Sequence, residues 1–295
     1  MSVPFSKIMV VGLGQMGGSL CLALKNKGVR SIIGIDKNRK TVRAALRQKA
    51  ITQTVSARPK DFCAALEGIS LVVLALPVTE LRLFLNSLNP FKRELRRHKG
   101  LIFMDVGSTK KTILQAAARS LPKETFFVGA HPIAGTEKIG FAGSHKDLFK
   151  NRWVLLSPLP KIPPSVIKKV ENFWKKVGGR SPCPVFSAEN HDRLLSATSH
   201  LPHMIAYSLV SLIAERVGGR REQQLCLGGL KDTTRVASSS PKMWRDISME
   251  NSHEIVQTLS AFEKKLTVLK KLVSQKNGNG LEKYFKKAKK IRDRF

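Results

Sequence analysis

Lys7-Ile8-Met9-Val10-Val11-Gly12-Leu13-Gly14-Gln15-Met16-Gly17-Gly18 is the stretch that decides the fold. Lys7 to Val11 is a short apolar run that reads as a buried strand, and the segment after the glycines, Ser19 to Leu24, has helical character. The three spaced glycines serve a tight turn, close approach of a pyrophosphate, and close helix–strand contact. The phosphates then sit on exposed N–H groups at the helix start. A second strand, Ile32-Ile33-Gly34-Ile35, ends at Asp36. That is about twenty residues beyond the glycines, where an acid can grip the adenosine ribose hydroxyls. The expected dinucleotide-binding set is therefore Gly12, Leu13, Gly14, Gln15, Met16, Gly17 and Asp36. A carboxylate at 36 repels a 2′-phosphate and favours NAD over NADP, while Lys37 and Arg39 offset part of that repulsion.

The strand–helix alternation continues. Leu71 to Leu76 reads as a strand, Thr79 to Leu88 as a helix, and Leu101 to Met104 as a strand running into Asp105-Val106-Gly107-Ser108-Thr109-Lys110. Ligands of such sheets bind outside the carboxyl ends of the strands, so Ser108 faces the expected crevice. Its hydroxyl could also cap a helix beginning at Thr109. Phe126-Phe127-Val128 is a further short strand, and the turn leaving it carries His131-Pro132-Ile133-Ala134-Gly135-Thr136-Glu137. His131, with an ordinary pKa near neutrality, is the candidate general base. A loop histidine held by local hydrogen bonds is the plainer alternative, and the dinucleotide motif outweighs it.

From Pro158 prolines cluster, and beyond Ser187 the pattern is almost wholly helical. The expected architecture is an α/β Rossmann-type dinucleotide-binding domain over 1–184, followed by an all-α domain over 185–295. Ile255, Leu259, Phe262, Leu266, Leu269 and Val273 form a heptad-like seam, suited partly to an internal core and partly to the interface of a homodimer. The 295 residues suffice for two domains, and no apolar run approaches membrane-spanning length. The N-terminus enters a strand at once and does not read as a signal peptide. Four cysteines without metal-type spacing read as reduced thiols in a cytoplasmic protein, with no metal expected. The net charge is +31, and residues 260–295 carry twelve Lys and Arg against three Asp and Glu. The basic residues are otherwise spread over the chain and no nucleic-acid motif is present, so neither nucleic acid nor membrane is the expected primary partner. A polyanionic substrate suits such a field.

Five segments resemble the prephenate/arogenate dehydrogenase family: Gly12 to Leu20, Asp105 to Lys110, His131 to Glu137, Ser199-His200-Leu201-Pro202-His203, and Gly228 to Ile247. They occur in family order across nearly the whole chain. The resemblance implies a Rossmann-type domain, a helical dimerisation domain, and NAD(P)-dependent oxidative decarboxylation of prephenate to 4-hydroxyphenylpyruvate. It implies His131 as catalytic base and Ser108 as the partner that binds the reacting hydroxyl and orients the histidine. Arg235 would bind a substrate carboxylate and His203 would lie near the pyruvyl side chain, with Thr136, Glu137 and Gly228 completing the substrate set. Asp192 and Asp232 would support an ionic network, and Trp244 would pack the helical domain. His145, His191, His200 and His253 are expected to be surface or structural. A potential cation at His203 sits better with the keto acid prephenate than with arogenate, which carries an ammonium.

Two rival readings exist. GLGQMG also resembles the β-hydroxyacid dehydrogenases, in which a lysine in a GxxxK setting acts, and Lys231 would be its counterpart. A basic nucleotide-sensing protein without catalysis is the other, and an intact Ser108, His131 and Arg235 argues against it.

Overall fold

A computed structural model describes residues 3–135, 138, 140–216 and 228–294. Seven strands form one sheet: β1 (Lys7–Val11), β2 (Ser31–Ile35), β3 (Gln53–Thr54), β4 (Leu71–Leu74), β5 (Ile102–Asp105), β6 (Phe126–Pro132) and β7 (Val154–Pro158). Their order is β3-β2-β1-β4-β5-β6-β7, with β1 to β6 parallel and β7 antiparallel at the edge. Order 3-2-1-4-5-6 is that of a doubly wound dinucleotide-binding sheet, whose crevice opens where the winding reverses, between β1 and β4. The inner strands are buried on both faces, which is why they read as unbroken Val, Ile and Leu runs.

Helices cover both faces: α1 (Gln15–Asn26), α2 (Arg39–Arg47), α3 (Pro59–Ala64), α4 (Val78–Ser87), α5 (Lys92–Leu95), α6 (Lys111–Ser120) and α7 (Pro164–Lys176). Beyond 187 come α8 (Ala188–Leu195), a π-helical turn over Ser196–His200, α9 (Leu201–Arg216), α10 (Gly229–Thr234), α11 (Pro241–Glu250), α12 (Ser252–Ser274) and α13 (Gly278–Arg292). One apolar cluster lies under α1 and α7. The second joins α3, α4 and α6 to Ala188, Trp244 and Ile247, so the core runs on into the helical segment.

Two expectations are corrected. His131 is not on a turn: β6 runs through it to Pro132, because β7 pairs antiparallel with this stretch and sets Leu155 opposite His131. Ser108 does not cap a helix. The helix α6 begins at Lys111, and the N–H groups at its start are held from 81 and 82 positions away. Lys110 N–H donates to Asp192 Oδ1 at 2.8 Å and Lys111 N–H to Asp192 Oδ2 at 2.9 Å. A carboxylate at a helix N-terminus also meets the positive end of the helix dipole. Asp192 is thus an interdomain cap. A second tie joins Arg82 of α4 to Glu250 of α11 at 3.0 Å.

Of the heptad-like seam on α12 only Ile255 is buried, while Leu266 and Val273 are 47% and 57% exposed. The seam is therefore part core, at Ile255 and the half-buried Leu259, Phe262 and Leu269, and part outward apolar face, at Leu266 and Val273.

Candidate active site

The glycine turn behaves as the spacing predicts. Gly12 has φ +92°, and a Cβ there would lie 2.3 Å from the Ala75 carbonyl oxygen. A Cβ on Gly17 would lie 1.9 Å from the Gly12 carbonyl oxygen, so α1 packs hard against the turn. Around Gly14 nothing lies within 4 Å of a Cβ position, and no side chain caps α1. Open space at an uncapped helix start is the cradle that a pyrophosphate fills. Asp36 accepts hydrogen bonds from Leu13 N–H and Asn38 N–H, each at 2.8 Å, which aims its carboxylate at the ribose position. Both carboxylate oxygens of Glu80 hold Lys37 Nζ at 2.9 Å. That cation is thereby partly neutralised and offsets Asp36 less than its sequence position suggests. These residues fit an NAD.

The segment after β6 folds over this turn. The Ser144 hydroxyl donates toward the carbonyls of Gly14 and Gln15 at 3.3 Å, and Gln15 Nε2 reaches the Gly143 carbonyl at 3.5 Å. The strand bearing His131 is so tied to the dinucleotide turn. Thr136 and Glu137 lie outside the described residues.

His131 is half-buried, and its Nδ1 lies 3.0 Å from Nε2 of His191. His191 is fully buried, with Nδ1 2.8 Å from Asp192 Oδ1. Beneath them Lys110 and Asp105 form a wholly buried ion pair, and Gly107 N–H donates to the same Asp105 oxygen at 2.8 Å. His200 is buried against the edge of Trp244 and lies 3.2 Å from the Asn251 amide, which itself donates to the Asp192 carbonyl at 3.0 Å. His203 stacks on Trp244 with ring centres 3.8 Å apart, and its Nδ1–H donates to the Ser199 carbonyl at 2.8 Å. Arg235, in a 3₁₀ turn after α10, lies close enough for its charge to act on His203. The histidines, Asp192, Trp244 and Arg235 thus form one continuous lining where the two segments meet. Ser108 is half-buried past the end of β5, one strand from His131. Among the described residues it makes no hydrogen bond to His131. The ring is oriented by His191 instead. Gly228 opens α10 with nothing within 4 Å of a Cβ position, and Asp232 is exposed.

His191 and His200, expected to be surface or structural, are buried within this row. The usable signal was in α8, whose buried residues are Ala188, His191, Asp192 and Leu195. A histidine and an aspartate occupy two of the four positions in an apolar stripe, which is costly unless they are paired.

Burial pushes the pKa of His131 well below the ordinary histidine value, helped by the charges of His191, Lys110 and His200. Burial also lowers His191, against the opposing pull of Asp192, and takes His200 down to about 4. His203 is lowered too, mainly by burial and further by Arg235, so it tends to the neutral form rather than the expected cation. Asp105 is raised by burial despite Lys110.

The sheet order, glycine turn, ribose acid and buried histidine site define a two-domain dinucleotide-dependent dehydrogenase. Residues 20–182 match the family model described as prephenate dehydrogenase, nucleotide-binding domain, and residues 187–287 match prephenate dehydrogenase, dimerization domain. The chain belongs to the prephenate dehydrogenase family. It is 34% identical over 292 residues to a prephenate dehydrogenase of Bacillus subtilis (strain 168), covering 97% of this chain and 75% of that protein. It is 30% identical over 290 residues to a cyclohexadienyl dehydrogenase of Zymomonas mobilis, covering 98% and 95%. Among solved structures it resembles the Aquifex aeolicus prephenate dehydrogenase in complex with hydroxyphenyl propionate and NAD+, with TM-score 0.85, 31% identity, and 98% of each chain covered.

Two outcomes are expected. Gly17→Ala should destabilise the protein by more than about 2 kcal/mol, since its Cβ meets backbone that cannot yield. Gly14→Ala should cost no more than about 1 kcal/mol and yet weaken NAD binding at least tenfold, because the added methyl occupies the pyrophosphate space. Thermal unfolding with and without NAD separates the two, and normal NAD affinity in Gly14→Ala would contradict the cradle. Stability should also fall with acid. Histidines in the unfolded chain take protons near pH 6.5, whereas His131, His191 and His200 resist until lower pH. The unfolded state therefore binds more protons below about pH 6.5, and stability is lost as pH falls toward the folded values. Urea midpoints at pH 7.5, 6 and 5 should decline in that order, and a flat series would show that these histidines are not held neutral.

Proposed function

We propose that the chain catalyses NAD-dependent oxidative decarboxylation of prephenate to 4-hydroxyphenylpyruvate. The observation that carries this reading is His131: it is held toward its neutral form by burial, oriented through Nδ1, and set on the strand whose following loop closes over the dinucleotide turn. Gly12 to Gly17 and Asp36 would hold the NAD, which when bound would supply the hydride acceptor for the ring carbinol carbon. His131 takes the hydroxyl proton at Nε2 while Ser108 binds the same hydroxyl, and as carbon dioxide leaves and the ring becomes aromatic the proton returns to the resulting phenolate oxygen. Arg235 clamps a substrate carboxylate through a planar guanidinium, with His203 beside the side chain and Thr136, Glu137 and Gly228 completing the pocket.

Since His203 tends to neutrality, discrimination against the ammonium of arogenate falls mainly to Arg235. Turnover of purified protein with prephenate or arogenate, each with NAD or NADP, tests the reading directly. No turnover of either substrate would overturn it.

We place the domain boundary between residues 184 and 185, where α7 has ended and α8 has yet to begin. No described helix is long and apolar enough to cross a membrane. We also assign a reducing, cytoplasmic setting. Cys21, Cys63 and Cys183 are buried free thiols, pushed by burial up to about 12, 11 and 11, which leaves them inert. Cys226 lies outside the described residues.

His131→Asn should keep KM values near those of the parent and lower kcat by about 10²- to 10⁴-fold. Arg235→Gln should raise KM for prephenate by at least tenfold, since a carboxylate loses a charged partner worth about 1.5–3 kcal/mol. A kcat loss under tenfold for the first, or an unchanged KM for the second, rejects the corresponding role.

The chain forms a homodimer through the apolar seam of α12, on which Leu266 and Val273 are 47% and 57% exposed. Two copies each carrying +31 repel one another, so association draws on apolar burial and should tighten as salt screens that repulsion. Light scattering across a salt series checks this. A monomer throughout, or dissociation on adding salt, is the contrary result.

A further inference from the structure

His191 is fully buried and wedged between His131 and Asp192. The hydrogen-bond directions in this row follow from its far end. Asp192 Oδ1 accepts Lys110 N–H at 2.8 Å and Oδ2 accepts Lys111 N–H at 2.9 Å, so the group acts as a carboxylate acceptor. The nitrogen 2.8 Å from Oδ1, His191 Nδ1, must then carry a hydrogen. A neutral imidazole with Nδ1–H has a lone pair on Nε2. His131 Nδ1, 3.0 Å from that lone pair, must carry a hydrogen in turn. The lone pair of His131 is therefore on Nε2, which no described residue engages.

We propose that His191 is a positioning residue that fixes His131 as the Nδ1–H tautomer, leaving Nε2 as the basic nitrogen that takes the substrate hydroxyl proton. The proposal rests on His131 being the base. Without an acceptor at His191 Nε2, neutral His131 could carry its proton on either nitrogen, and the ring could turn about its χ2 bond. When Nε2 gains the proton, the Nδ1–H to His191 bond becomes charge-assisted and about twice as strong, so the same contact favours the protonated product state. The groups facing the pair are Lys110, His200 and Asp105, besides Asp192. Lys110 and a protonated His200 both oppose charge on His131, so the contact works against a positive field.

The test compares two substitutions of similar size. The Gln amide oxygen reaches about as far as Nε2, whereas the Asn amide reaches only as far as Nδ1. His191→Gln can retain an acceptor for His131, and His191→Asn can retain only the contact with Asp192. For His191→Asn, kcat should fall about 10- to 100-fold with KM for prephenate and NAD within threefold. His191→Gln should recover at least a third of the parent kcat. The acid limb of kcat/KM should move to lower pH in His191→Asn, since the acceptor that favours the protonated His131 ring is gone. In a His131→Asn background, His191→Asn should cost less than about threefold further, because the residue acts only through the missing ring.

A kcat within threefold of the parent in His191→Asn with an unmoved acid limb, or Asn outperforming Gln, overturns the proposal. If His131→Asn is severe while His191→Asn is near normal, the base assignment stands and the positioning role falls. If His131→Asn costs less than tenfold, the base assignment fails first. Ring ¹⁵N NMR of the unaltered protein at pH 7.5 needs no variant. It should show both His131 and His191 as Nδ1–H tautomers, and an Nε2–H His131 rejects the proposal outright.

Discussion

The carboxylate of Asp192 is the group around which this molecule is organised. It is buried where the helical segment meets the sheet, and it accepts three hydrogen bonds. Two come from the start of α6 and one from His191. A buried carboxylate is tolerated only when its oxygens are satisfied, and a helix start is stable only when its leading N–H groups are. Each defect cures the other, across two domains. If the helical segment slid by even one residue, it would orphan a charge and two backbone donors at once. Buried donors cost about 1–3 kcal/mol each when left unpaired.

That single contact also carries consequences for chemistry. With Asp192 docked against α6, His191 is brought to β6, and β6 already holds His131 at the carboxyl edge of the sheet. The apolar cluster that joins Leu81 and Leu85 to Trp244 and Ile247 seals the same junction and keeps water from the inner side of the histidines. Low dielectric then does two things. It disfavours charge on His131, His191 and His200, and it strengthens the hydrogen bonds between them. A histidine held toward its neutral form and in one orientation results from the same burial that stabilises the interdomain contact.

Positive charge is deployed on two scales. The buried pair of Lys110 with Asp105 lies under the site, where its field bears on His131. Arg235 stands at the outer end of the lining beside the stacked His203 and Trp244. The rest of the +31 is spread over exposed surface and mainly raises the local concentration of anions, which matters for a dianionic substrate more than for the fold.

The sequence alone determined the dinucleotide half. Strand β1, the glycine turn, α1, β2 and Asp36 are contiguous, and each is governed by local rules of period, glycine spacing and burial that operate within about thirty residues. Local reading also singled out His131, Ser108 and Arg235 as candidates, and found the helical texture beyond Ser187. What it could not reach were partnerships between distant segments. The cap of α6 comes from a residue 82 positions from Lys110, and the partner of His131 is 60 positions away. The last residues of β6 became strand only because β7 returned to pair with them. In α8 the sequence already set a histidine and an aspartate on an apolar face, a conflict that named no partner. Only packing decides which buried acceptor meets which buried donor, because the hydrogen bond forms wherever the two chains of apolar contacts leave those groups facing one another.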